Sequence, residues 1–282
     1  MRVVRAKSAG FCMGVARALE KLDAALNAKK GGRILTFGPI IHNPQVLADY
    51  EQKGVVCTEN ISDARRGDRV IIRAHGIPVP VEAMLKGAGV KLIDATCPRV
   101  KKAQMGIAGQ SSLGRRLLLL GETEHPEVRG LVSHALPDAF VFASLKELKE
   151  LSPDPDGDWF FATQTTQAVE EFNKVVAWIN GHMKKNIPVL STICGATRRR
   201  QQDVVNLARQ VETVVVVGGL TSGNTRRLAQ IVEERGIPAI HIETAEQLPG
   251  ERLKSLKTVG LTAGASTPKN RIDEVQRVLE SF

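Results

Sequence analysis

The 282-residue chain is long enough for one large domain or two to three small ones, and its 43% hydrophobic and 24% charged content excludes a disordered or collagen-like polymer. The chain has no run of about 18 apolar residues, so no membrane-spanning helix is expected, and its N-terminus, MRVVRAKSAGFCMGVARALE, has neither an apolar h-region nor a cleavage motif, so a cytoplasmic location is expected. The net charge of +9 raises nucleic-acid binding, but the basic runs, from Lys29-Lys30 to Arg198-Arg199-Arg200 and Arg226-Arg227, are scattered and only 4% of residues are aromatic; solvated helix faces, or contact with an acidic partner or anionic substrate, are expected instead.

Short apolar runs alternate with longer stretches of helical period, the pattern of an α/β protein with mainly parallel sheets. In chain order the predicted strands are Arg33–Phe37, Arg69–Arg73, Lys91–Ile93, Arg116–Leu120, Phe140–Phe142, Trp159–Ala162, Val189–Leu190, Thr213–Val217, Ala239–Ile242 and Thr258–Leu261. The predicted helices are Val15–Leu26, Pro44–Gln52, Pro80–Lys86, Val169–Met183, Arg199–Glu212, Thr225–Arg235 and Pro268–Glu280, whose apolar residues recur at three and four.

The segments after the strands carry the chemistry. The first third supplies GPIIHNP (38–44), RAHGIP (73–78) and DATCP (94–98); the second GETEHPE (121–127), TQTT (163–166) and STICGAT (191–197); the last GGLTSGNT (218–225) and TAGASTP (262–268), joined by AKSAGFCMG (6–14) from the N-terminus. Each third thus gives two loops rich in hydroxyl, amide or imidazole groups and one loop with a cysteine. This predicts three small α/β lobes, 14–97, 98–193 and 194–282, the last completed by residues 1–13. Parallel α/β sheets bind ligands outside the carboxyl ends of their strands, so three such lobes facing one centre would gather all nine loops.

Cys12, Cys97 and Cys194 lie in Gly-, Pro- or Thr-flanked loops about a third of the chain apart. No local CxxC pair exists, and disulfides are not expected in a cytoplasmic chain. Three converging thiolates can hold an iron–sulfur cluster with one iron left open; zinc and burial as small hydrophobes are the alternatives. Cys57, in VVCTEN, is predicted to pack in the core. His42, His75 and His125 each follow a strand and closely precede a Pro, while Asn43, Thr165, Thr166, Ser222, Asn224 and Ser266 add neutral donors, a set suited to an anion. GGLTSGNT reads as strand, turn and helix start at Thr225, with backbone N–H groups facing a phosphate; it lacks the P-loop lysine and is not GxGxxG. His134, His182 and His241 have no such loop and read as structural or solvated. Glu127 sits two residues past His125 at an apolar turn, where burial would make it a proton donor; Glu122 and Glu124 are near in sequence.

Through GFCMGV, GPIIHNPQV, RAHGIP, DATCP, GETEHPEVRG, TQTT, ICGATRRRQ, SGNT and TAGAS, in this order and over essentially the whole length, the sequence resembles the 4-hydroxy-3-methylbut-2-enyl diphosphate reductases of the non-mevalonate isoprenoid pathway. One departure is Leu220-Thr221, where a more polar pair is the family pattern. The resemblance implies a three-lobed, pseudo-threefold α/β fold around a 4Fe-4S cluster on Cys12, Cys97 and Cys194. It implies a diphosphate pocket from His42, His75, Ser222, Asn224 and Ser266, with His125, Glu127 and Thr165 toward the substrate hydroxyl and Thr166 among the substrate-binding residues. The implied reaction is reductive dehydroxylation of the allylic diphosphate to isopentenyl and dimethylallyl diphosphate with two electrons and two protons at the open iron. No flavin or nicotinamide fingerprint is present, so electrons are expected from a separate ferredoxin or flavodoxin. A cluster-dependent hydratase and a non-catalytic zinc- or RNA-binding protein are the rival readings.

Overall fold

The structure is a computed structural model that describes residues 1–28 and 31–282; the Lys29-Lys30 basic run lies outside the described residues. In chain order the elements are β1 (Arg2–Arg5), α1 (Met13–Asn27), β2 (Ile34–Phe37), α2 (Pro44–Gln52), β3 (Val55–Thr58), β4 (Arg69–Ile72), α3 (Val79–Gly87), β5 (Lys91–Asp94), α4 (Pro98–Ser111), β6 (Arg116–Leu120), α5 (Pro126–Val132), β7 (Phe140–Phe142) and α6 (Leu145–Leu151). They continue with β8 (Trp159–Thr163), α7 (Val169–His182), α8 (Gly195–Ala208), β9 (Thr213–Val217), α9 (Gly223–Glu233), β10 (Ala239–Ile242), α10 (Gly250–Lys254), β11 (Thr258–Ala263) and α11 (Lys269–Glu280).

These strands form three small sheets, ordered β3-β2-β4-β5, β7-β6-β8 and β1-β11-β9-β10, and every pairing is parallel. Helices cover both faces of a parallel sheet, so its central strands are apolar on every residue rather than on alternate ones. Leu117–Leu120 in β6 and Val214–Val217 in β9 are all fully buried. The chain separates into two compact units. One comprises 1–16, 41–47 and 195–282 and holds the β1-β11-β9-β10 sheet; the other comprises 17–40 and 48–194 and holds the other two sheets.

Two strands escape sequence patterning. β1 is four residues bounded by arginines, and it adds to β11 in register Val4↔Gly260, so the N-terminal segment joins the C-terminal sheet. β3 is an edge strand pairing only with β2. Its Cys57 is exposed, so the expected core position is wrong: on a half-covered edge strand only Val55 is buried. Val189, expected in a strand, makes only an isolated bridge to Phe161.

Four helices were also not evident from the pattern: α4, α5, α6 and α10. The buried stripe of α4 includes Gln104 and Ser111 beside Val100, Ala103 and Ile107, which weakens its apolar period. α8 begins at Gly195, four residues before the expected Arg199, and stops at Ala208. α9 begins at Gly223 rather than Thr225, because the Ser222 side chain caps it.

Gly260 lets α8 approach the sheet: a Cβ there would lie 2.9 Å from Leu207 Cγ and 3.1 Å from Val211 Cγ2. Gly260→Val overpacks this contact and should cost about 1–3 kcal/mol of stability, read as a lower urea midpoint with unchanged helix content.

Candidate active site

The three loop cysteines share one local construction. Each is the residue immediately before a helix: Cys12 before α1, Cys97 as N-cap of α4, Cys194 before α8. Helix starts place backbone N–H dipoles toward the preceding residue and favour negative charge there. Each cysteine is also tied through its own N–H to a neighbouring loop of its unit: Cys12 to Ala265 O (3.1 Å), Cys97 to Ala74 O (2.9 Å) and Cys194 to Thr165 O (3.0 Å). All three are partly exposed rather than sealed in core. The Val15 N–H lies 3.5 Å from Cys12 Sγ, a contact that would stabilise a thiolate. Soft thiolate donors on rigid loops suit an iron–sulfur group.

In the unit of residues 17–40 and 48–194, Glu127 lies in the first turn of α5 and is 2% exposed. Thr165 clamps both carboxylate oxygens, donating its N–H to Oε1 (2.6 Å) and its hydroxyl to Oε2 (2.9 Å). Burial pushes the Glu127 pKa up to about 7, against the lowering effect of these two hydrogen bonds. His125 caps α5, its Nδ1 accepting the Glu127 N–H at 3.1 Å. In the neutral ring that leaves the proton on Nε2. The rings of His125 and His75 meet edge to face at 5.4 Å. Thr166 Oγ1 accepts from Gln164 Nε2 (3.2 Å), and Gln164 Oε1 accepts the Glu122 N–H (3.1 Å).

The other unit carries His42, Ser222, Asn224 and Ser266 beside Cys12. Ser266 donates its hydroxyl to His42 O (2.9 Å), and Asn43 Oδ1 caps α2 by accepting the Val46 N–H (3.0 Å), so the His42-Asn43 end of the GPIIHNP turn is held. Ser222 Oγ accepts from Thr225 N at 3.4 Å, which leaves its own proton available to a ligand. Asn224 is 8% exposed and its buried Nδ2 has no protein partner, as does Thr225 Oγ1; an anionic ligand would satisfy both.

Several residues with positioning roles had read as ordinary. Arg200, within a basic run expected on a solvated face, is buried and donates to Gly10 O at 2.6 Å beside Cys12. Arg73 is buried with its guanidinium on Glu59 (2.8 Å), in the turn that leads to His75. Thr192 fixes the STIC loop, accepting from Thr163 N (2.8 Å) and donating to Thr163 O (2.7 Å). His241 Nε2 meets Gly218 O at 2.9 Å, steadying GGLTSGNT. Only the lodging of Gln164 in TQTT was a usable signal; charge runs and lone polar residues do not announce burial. Glu124 pairs with exposed Arg129 and is itself exposed, unlike Glu127.

The sign of the Glu127 shift sets a pH dependence. Its folded-state pKa is raised, so the folded chain holds the proton more tightly, and the associated stability is present below the unfolded value of 4.5 and lost as pH rises through about 7. Glu127→Gln keeps an acceptor for the Thr165 N–H and removes the titration. Between pH 5.5 and pH 8 the variant should gain about 2 kcal/mol relative to the parent, read from urea denaturation at the two pH values.

A model of the LytB protein family matches residues 3–280. Among curated proteins, those named 4-hydroxy-3-methylbut-2-enyl diphosphate reductase from Nitratidesulfovibrio vulgaris and Oleidesulfovibrio alaskensis are 53% identical over 282 residues and 54% over 284, each aligned over all of both chains. One of the same name from Citrifermentans bemidjiense is 43% identical over 98% of this chain and 95% of its own. The solved reductase of Plasmodium falciparum aligns with TM-score 0.92 and 26% identity over 98% of this chain and 87% of that one. A second solved structure, titled (E)-4-hydroxy-3-methyl-but-2-enyl diphosphate reductase, aligns with TM-score 0.70 and 38% identity over the full length of both. With its three parallel sheets and its motifs matched along the full length, the chain belongs to the LytB family of 4-hydroxy-3-methylbut-2-enyl diphosphate reductases.

Proposed function

We propose that the chain reduces 4-hydroxy-3-methylbut-2-enyl diphosphate to isopentenyl and dimethylallyl diphosphate. The allylic C–O bond breaks, two electrons and two protons are consumed, and the hydroxyl leaves as water. The observation that carries this reading is Glu127: a fully buried carboxyl with a pKa near 7, held on both oxygens by Thr165, is a proton donor at neutral pH, which a hydroxyl leaving group requires.

Cys12, Cys97 and Cys194 would hold a 4Fe-4S cluster, which supplies the electrons and a Lewis-acidic iron not bound by cysteine. The remaining work falls to the chain. Glu127 protonates the departing hydroxyl and, once reprotonated from solvent, the residual allyl fragment. Thr165, which already donates to Glu127, orients both the hydroxyl and the carboxyl, with Thr166 beside it and the Nε2–H of His125 as a further donor. Asn224 Nδ2, the Ser222 hydroxyl, His42, His75 and Ser266 take the diphosphate, whose binding energy fixes the reacting carbon in place. Because the Ser266 proton already serves His42 O, Ser266 also shapes the turn that carries His42. The enzyme draws its electrons from an external carrier such as ferredoxin or flavodoxin.

Anaerobic turnover with reduced methyl viologen, analysed for both products by mass spectrometry, tests the reaction; a hydratase would convert substrate without reductant. Glu127→Gln should lower kcat about 100-fold or more while KM changes little, and parental kcat/KM should fall as pH rises through about 7. Near-parental turnover by Glu127→Gln would remove its role. Cys12→Ser, Cys97→Ser and Cys194→Ser should each lose bound iron, whereas exposed Cys57→Ser should retain it.

A further inference from the structure

Exposed apolar side chains next to a rigid, partly exposed attachment point require a reason, and Cys12 is bracketed by two. Phe11 is 39% exposed and Met13 51% exposed. Their loop is not loose: Gly10, at φ +110°, accepts from buried Arg200, and Cys12 N–H is fixed on Ala265 O. A groove of about 550 Å³ opens beside Phe11, lined also by Arg5, Lys7, Gly10 and Lys269. Asp273 is bound by Arg5 (2.6 Å) and Lys269 (2.8 Å), and Asp203 accepts the Ser8 N–H (3.0 Å). Lys7 is exposed and makes no ion pair among the described residues. Three cations against these two carboxylates leave the groove net positive.

We propose that this groove, with Phe11 on its wall next to Cys12, is the docking surface for an acidic electron-carrier protein that delivers electrons next to Cys12. The inference rests on the proposed cluster. Aromatic and Met side chains are enriched in protein interfaces, and a positive rim around them speeds encounter with an acidic partner without demanding a large buried area. Electron-transfer contacts are small and transient, which suits a surface of this extent. The place also makes chemical sense, because Phe11 and Met13 are covalent neighbours of a ligand, separated from it by one Cα–Cα step of about 3.8 Å. A second cationic cleft, between Lys21, Lys101 and Lys102 near Met105, is a weaker candidate. Its Lys101 is occupied by Asp94 (2.9 Å) and its Lys21 by the Asp94 carbonyl, and Met105 stands two helical turns beyond Cys97.

The test uses the anaerobic holoenzyme, a reduced acidic 2Fe–2S ferredoxin as carrier and reduced methyl viologen as a small cationic donor. Lys7→Glu with Lys269→Glu should lower ferredoxin-driven kcat/KM at low salt about tenfold and weaken ferredoxin binding, measured by NMR titration, by a similar factor. Viologen-driven turnover should stay within twofold of the parent. Lys101→Glu with Lys102→Glu should leave both ferredoxin readouts unchanged. Unchanged ferredoxin binding and kcat/KM in the Lys7/Lys269 variant, or equal losses from the two charge reversals, would overturn the docking surface. Absence of viologen-driven turnover in the parent would instead overturn the proposed reaction, and the binding titration would still decide the surface. Phe11→Ser, which alters the groove's apolar wall without touching a cation, should weaken binding at high as well as low salt; an effect confined to low salt would contradict the apolar contact.

Discussion

Thr165 ties the buried carboxyl of Glu127 to the loop cysteine Cys194. Its N–H and hydroxyl hold the two oxygens of Glu127, and its carbonyl accepts the N–H of Cys194. One residue at the end of β8 therefore sets the position of a carboxyl that is poised near neutrality and of a cysteine at the start of α8. Burial alone would drive Glu127 further toward its neutral form; two donors from Thr165 pull it back. The balance yields a group that is both protonated often enough to donate and acidic enough to release its proton. The support behind Thr165 is equally local: Thr192 braces Thr163, and Gln164 links the loops after β6 and β8 through Glu122 and its own N–H on Leu120 O.

The same junction recurs for all three loop cysteines. Before Cys12 and Cys97 a short parallel strand ends and the chain turns through small or hydroxylated residues. Before Cys194 the chain leaves α7 and makes only the isolated Val189 bridge. In each case the cysteine stands just before the next helix. Parallel sheets with helices on both faces make such junctions in every βα unit, and the fold here uses the carboxyl ends of its strands as α/β proteins generally do. His125, Ser222 and Asn43 repeat the arrangement with imidazole, hydroxyl and amide in the cap position. In the proposed site, capping a helix and facing the ligand would thus be combined in single residues, and altering one would affect both.

Much of this was legible in the sequence, and what was not has physical causes. The buried strands announce themselves because β6 and β9 are apolar on both faces. The loops announce themselves through Gly, Pro and hydroxyl residues after those strands. β1 and β3 are four-residue edge strands with little apolar signal, so neither they nor the exposure of Cys57 could be read. α4 hides because Gln104 and Ser111 occupy its buried stripe, and the first turn of α8, though not the helix itself, because it begins with Gly. Arg200 shows why charge runs mislead: a guanidinium that satisfies a buried carbonyl looks, in sequence, like its two solvated-seeming neighbours. The residues of the candidate site were visible as motifs, whereas the atoms that position them, Thr192 and Arg73 among them, lie in no pattern that composition or periodicity exposes.

The central claim is that three cysteines hold a cluster whose remaining iron meets the substrate. Mössbauer spectroscopy of anaerobically purified, iron-57-labelled protein, with and without 4-hydroxy-3-methylbut-2-enyl diphosphate, tests it most directly. The account predicts a four-iron signal in which one iron differs from the other three and shifts when substrate is added. A protein that carries no iron cluster, or one whose irons are all indifferent to the substrate, would contradict it.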